Sequence, residues 1–198
     1  MQIKINQADI ARVESAMEGI RKGTPRVLTQ AINATGKTMM TQARMRLGNE
    51  LNLKASRISK DLSFKKASFG HLSGQLIAKG RPVGLVSYGA KRYGGGRRGK
   101  GISVKTWKRK KPYKFKHAFI TTGKRGQAHG SDGNKHVFWR EMENGKRVKR
   151  YPLRQLHGPR IEDAYANKIV YEPVETQAAH LLSKNIDKGI ADVIRRFG

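Results

Sequence analysis

The sequence predicts an α+β fold: N-terminal helices and a C-terminal helix packed on a small, mostly antiparallel β-sheet with long basic loops. Three observations predict it. Apolar residues recur every three or four positions up to about residue 62; from Ser63 they alternate in short runs separated by Gly, Pro and basic residues; the helical spacing returns after about residue 156. The chain accordingly divides into an N-terminal helical part (1–62), a β-rich part (63–155) and a turn with a C-terminal helix (156–198), expected to form one structural domain.

Asp9 is the expected N-cap of a first helix with Ile10, Val13, Met17 and Ile20 on its apolar side and an end near Gly23. Thr24 then reads as an N-cap with Pro25 at the first helical position. Leu28, Ile32, Thr35, Met39, Ala43 and Leu47 form the apolar stripe of this second helix, about 25 to 47, which Gly48 is expected to close. A shorter element, LKASRISKDL, places Leu53, Ile58 and Leu62 on one side.

The strand candidates are HLSGQLIA, GLVSYG, GISVKTW, HAFITT and KHVFWRE. In the first, Leu72, Gly74, Leu76 and Ala78 share a face; in the second, Leu85 and Ser87 oppose Val86 and Tyr88. Residues 91–101 (KRYGGGRRGKG) and 121–135 are expected to be loops or hairpin tips, being Gly-rich and too polar to bury. Glu172-Pro173 is the expected start of an amphipathic helix to about 196, with Val174, Ala178, Leu181, Leu182, Ile186, Ile190 and Ile194 on its apolar side.

Charge dominates the composition. The chain has 42 Lys and Arg against 14 Asp and Glu, a net +28, and 37% of its residues are hydrophobic, below the globular norm of roughly 45%. This balance favours a modest core and an anionic partner, which nucleic acid, an acidic protein or an anionic membrane would each supply. There is no cysteine, which excludes disulfides and thiolate chemistry. No run of about 18 apolar residues occurs, so no spanning helix is expected, and a membrane is not among the partners expected.

One stretch, AINATGKT (31–38), fits the loose pattern of a nucleotide-binding loop. Such a loop needs a strand before it and free N–H groups facing the phosphates. Here it falls inside the second helix, where those groups are bonded to carbonyls four residues back and Lys37 is a solvated charge. GGGRRGKG (94–101) has Gly101 where the magnesium-binding hydroxyl belongs and leads into a strand-like run. The six histidines show no metalloprotease spacing, and no Gly-x-Ser-x-Gly elbow occurs. Neither catalysis, a cofactor nor a metal is expected.

Residues 62–131 hold eighteen Lys and Arg and no Asp or Glu. Lys91, Arg92, Arg97, Arg98, Lys100, Lys108, Arg109, Lys110 and Lys111 are therefore candidate contacts to an anionic partner, with simple solvation as the competing reading. Tyr93, Trp107, Tyr113 and Phe115 are interleaved with them. For the last three, packing in a core or against a subunit is favoured over base stacking.

The order of several short motifs resembles a known family. They are Arg81, Pro82, Leu85, Tyr88, Gly89 and Ala90; Gly101, Ile102, Ser103 and Val104; Ala118, Phe119 and Ile120; Val137, Phe138 and Arg140; and Pro152, Leu156, Gly158 and Pro159. Over about residues 10–195 the chain resembles the prophage minor tail protein Z family, the tail-completion proteins of lambda-like tailed phages. The Gly/Arg insertion at 94–100 and the loop at 123–134 depart from that pattern.

The resemblance implies a structural virion protein, made in the host bacterial cytoplasm, that acts in tail assembly and head–tail joining at the head-proximal end of the tail. It further implies a homo-oligomeric ring, a hexamer being one order, packed with tail-tube or terminator and neck proteins. The basic loops would face acidic neighbours or phage DNA in the channel. The competing reading is a free basic nucleic-acid-binding protein of ribosomal or nucleoid type, which charge alone favours.

Overall fold

The computed structural model describes residues 1–3, 5–20, 22–94, 100–122, 135–140, 142–143, 146–147 and 153–197. In chain order its elements are β1 (Gln2–Ile3), α1 (Gln7–Ala16), α2 (Gly23–Glu50), α3 (Ala55–Ser59), β2 (Leu62–Lys65), β3 (Gly74–Ala78) and a 3-10 helix (Leu85–Tyr88). There follow β4 (Lys91–Tyr93), β5 (Gly101–Val104), β6 (Tyr113–Lys116), β7 (Ala118–Thr122), β8 (Lys135–Trp139), β9 (Met142–Glu143), β10 (Lys146–Arg147), β11 (Arg154–Gln155), α4 (Ile161–Tyr165) and α5 (Lys168–Phe197). The α+β class is as expected. All pairings of the described strands are antiparallel, and they form three three-stranded sheets, β1-β3-β2, β4-β5-β6 and β11-β8-β7, with a two-stranded β9-β10 ladder.

The helix ends differ from the sequence reading for local reasons. Asn6, not Asp9, caps α1: Asn6 has extended backbone angles, and its side chain accepts the Asp9 N–H at 2.6 Å. α1 stops at Ala16, well before Gly23. α2 already begins at Gly23, so Thr24 and Pro25 lie within its first turn, and it runs through Gly48 to Glu50. A lone Gly without a left-handed backbone does not end a helix. α5 begins at Lys168 rather than at Pro173, because Asn167 caps it by accepting the Ile169 N–H at 3.1 Å. Pro173 sits inside the helix.

The chain forms two compact units, Met1–Arg46 with Ser59–Lys79 and Tyr165–Gly198, and Leu47–Ile58 with Gly80–Ala164. In the first, Val27, Leu28, Ala31 and Ile32 of α2 pack with Val13 and Met17, Leu182, Ile186 and Val193 of α5, and Ile3 of β1. Polar ties fix the elements. The Asn33 amide donates to the Ala67 carbonyl at 3.1 Å and accepts the Ala67 N–H at 2.9 Å, while Asn185 donates to the Thr35 hydroxyl at 2.9 Å. The α2 stripe read from sequence is correct throughout: Leu28, Ile32, Thr35, Met39, Ala43 and Leu47 are all buried. Of the α5 stripe, Ile194 departs and is exposed.

Burial pushes the Tyr165 phenol up to about 12. A phenol whose pKa rises on folding stabilises the fold fully below its ordinary value of 10 and ceases to do so as pH passes about 12. Tyr165→Phe should therefore remove part of the stability loss in that alkaline window. Equal alkaline unfolding curves for the two proteins would contradict this.

In the second unit, GLVSYG is not a strand. Residues 85–88 form the 3-10 helix, which puts Leu85 and Tyr88, three apart, on the same inward side. Gly89 terminates it at φ 75°, a left-handed conformation that suits Gly. The expected loop 91–101 is a hairpin whose arms are β4 and β5, with Arg97 and Arg98 outside the described residues. Of 121–135, residues 121–122 continue β7 and Lys135 starts β8; 123–134 lie outside the described residues.

Candidate anionic-partner surface

Strand register decides where the basic residues point. β4-β5-β6 aligns Lys91 with Ser103 and Lys114 in one row, and Tyr93 with Gly101 and Lys116 in the next. Period two puts both rows on one face of the sheet. The other face carries Arg92, Ile102 and Phe115, then Val104 and Tyr113, with Ile102 and Val104 buried. Lys91, Lys114 and Lys116 are exposed, so the outward face is cationic along its length. Tyr93 is half-buried among them, with the Lys114 ammonium 5.8 Å from its ring centroid.

Gly101 is where it is because β6 comes close: a Cβ there would run into the Phe115 carbonyl oxygen. The hairpin closes with Lys100, exposed, whose N–H donates to the Tyr93 carbonyl at 2.8 Å. Arg92 is also exposed, on the opposite face.

The turn between β5 and β6 holds the other four candidates, Lys108, Arg109, Lys110 and Lys111, all exposed. They are not equivalent. The Arg109 guanidinium lies 3.0 Å from the Glu50 carboxylate, whose side chain is 10% exposed, and the Lys108 N–H donates to the Glu50 carbonyl at 2.8 Å. Lys110 stands 5.7 Å from the Trp107 ring centroid. Arg109 thus fastens the turn rather than offering a free charge. Arg109→Ala should cost about 1 kcal/mol, since a mostly buried carboxylate loses its cation. Lys108→Ala, Lys110→Ala and Lys111→Ala should each change stability by less than about 0.5 kcal/mol. Urea melts of the four variants check this, and equal losses would put Arg109 among the solvated charges.

Lys114 and Lys116 were missed as site residues in the sequence, although the Lys-Phe-Lys alternation at 114–116 is the signal of a strand with lysines on one face. Of the interleaved aromatics, Trp107 and Phe115 are half-buried, whereas Tyr113 is exposed and does not pack in the core of its own chain.

The family-pattern positions do packing. Tyr88 is fully buried; its hydroxyl donates to the Pro159 carbonyl at 2.8 Å, and a Cβ on Gly158 would come within 2.5 Å of its ring. The Asn52 amide donates to the Tyr88 carbonyl at 2.9 Å. Phe119 of β7 and Phe138 of β8 pair across the ladder with ring centroids 6.3 Å apart, and the Arg140 guanidinium lies 4.8 Å from the Phe119 centroid. Arg81 and Pro82 are instead exposed and line a groove, and Pro152 lies outside the described residues.

Among the described residues no three His, Asp or Glu gather as a metal site would need, and no helix is long and apolar enough to cross a membrane. No match to the chain is found among curated proteins or among solved structures. The sequence profile of one family, described as prophage minor tail protein Z, matches residues 11–198, nearly the whole chain. That span includes the basic sheet, the Tyr88 cluster, α2 and α5, and leaves out β1 and the start of α1. The chain belongs to the prophage minor tail protein Z family and is a structural protein of a bacteriophage tail, a component of the virion.

Proposed function

We propose that this protein completes the tail at its head-proximal end, as one subunit of a ring that abuts the tail tube or terminator and the neck proteins, and that it acts in joining tail to head. The basic face of β4-β5-β6 is its contact with an anionic neighbour there, either acidic protein or the DNA in the channel. The observation that carries this reading is the alignment of Lys91, Lys114 and Lys116 on one exposed face with no acidic side chain in its rows. Such a face repels its own kind and favours a counter-surface of opposite sign.

The test is a phage carrying Lys91→Glu, Lys114→Glu and Lys116→Glu together. All three side chains are exposed, so the purified variant should melt as the wild type does. Head–tail joining should fall by about tenfold or more, the factor that a loss of 1.4 kcal/mol produces. Joining at the wild-type level would remove this face from the proposal. A free nucleic-acid-binding protein would instead be missing from purified tails and would bind DNA with a steep salt dependence.

A further inference from the structure

The 3-10 helix turns Leu85 and Tyr88 inward and leaves Val86 and Ser87 on a surface groove of about 860 Å³. Arg81, Lys135, His136 and His157 stand along this groove. A second hollow of about 440 Å³ shares Val86 and Lys135 with it and adds Ala90, Ile120 and Arg92. The two form one trough with an apolar stretch, Val86, Ala90 and Ile120, between cationic side chains. No Asp or Glu is among the described residues that line it.

The occupant of such a trough needs an apolar anchor with carboxylates beside it. A phosphate backbone supplies the charge but has nothing to place against Val86 and Ile120, which argues for protein rather than DNA. This chain carries the complement itself. Ile169, on the first turn of α5, is a large apolar side chain that stands 54% exposed. Glu172, one turn further on, and Glu175 are exposed as well, and the Tyr171 hydroxyl donates to the Glu175 carboxylate at 2.8 Å. Residues 162–192 hold six of the 14 acids against three Lys, so this is the acid-rich stretch of a strongly basic protein.

We infer that the start of α5 of one copy docks in the Val86 trough of the next, with Ile169 on its apolar stretch and Glu172 and Glu175 facing Arg81 and Lys135. The two surfaces differ, so the contact is head-to-tail, and its repetition makes a ring when the rotation between successive copies closes. The inference rests on the ring reading above and adds to it the joint between subunits.

Sedimentation of the purified full chain tests it through charge reversal. Arg81→Glu with Lys135→Glu, and separately Glu172→Lys with Glu175→Lys, should each weaken self-association at least about a hundredfold, because like charges then face each other. The chain bearing all four changes should regain it. Circular dichroism identical to wild type shows that the exposed substitutions leave the fold intact. Association that ignores both reversals, or that the four-fold variant fails to regain, overturns this joint and leaves the ring reading standing. A wild-type chain that stays monomeric also overturns it, and the ring reading is then judged on tails themselves.

Discussion

Tyr88→Ala is expected to destabilise the second unit by about 3–5 kcal/mol, the usual cost of emptying a fully buried aromatic site. The ring is 0% exposed and is held from three directions: Gly158 lies against it, the Pro159 carbonyl accepts its hydroxyl at 2.8 Å, and Asn52 donates to its own carbonyl at 2.9 Å. Tyr88→Phe keeps the ring and strands one carbonyl, which should cost about 1–2 kcal/mol. Gly158→Ala pushes a methyl group into the ring, for about 1–3 kcal/mol by overpacking. Urea unfolding followed with amide exchange over residues 80–164 reads all three. A loss below about 1 kcal/mol for Tyr88→Ala would mean that residues 88, 89, 158 and 159 are not the packing centre of this unit.

Gly36→Val is the second large effect, and it explains why a helix contains Gly-Lys-Thr. Gly36 is buried in the middle of α2, and a Cβ there would run into the tip of the Phe64 ring. A Cβ on Gly74 would be 2.7 Å from the same Cζ atom and from Ile32 Cγ2, so the ring tip also lies close against Gly74. The ring tip is therefore lodged between two glycines. Overpacking should cost about 1–3 kcal/mol, more than the roughly 0.4 kcal/mol that Val gains over Gly in helix propensity. Phe64→Leu in that background should recover part of the loss, a coupling of about 0.5 kcal/mol or more. Lys37→Ala, at an exposed position, should change stability by less than about 0.5 kcal/mol. ATP binding by wild type that Lys37→Ala abolishes would contradict the packing explanation.

The helices were readable because burial imposes a long, regular period. Six stripe positions of α2 were named from spacing alone, and each is buried. Their ends were not, since Asn6 and Asn167 compete with nearby Asp9 and Pro173 for the same signal, and only backbone angles choose between them. Short β-like runs were read less well. Leu85 and Tyr88 are three apart within a four-residue stretch, which fits a helical turn as easily as an alternating strand. That the described strands form several sheets depends on pairings between distant residues, which spacing does not encode. The candidate surface was visible as an acid-free block of charge. Its outward lysines needed the register, which puts Lys114 and Lys116 with Lys91, sets Arg92 on the opposite face and leaves Arg109 tied to Glu50.

Electron cryo-microscopy of purified tails, before and after head joining, tests the central proposal most directly. The expected result is a ring of this chain at the head-proximal end of the tail tube, with the face of Lys91, Lys114 and Lys116 against an acidic protein surface or the DNA. Density for the chain elsewhere along the tail, or single unassociated copies at the neck, would contradict it.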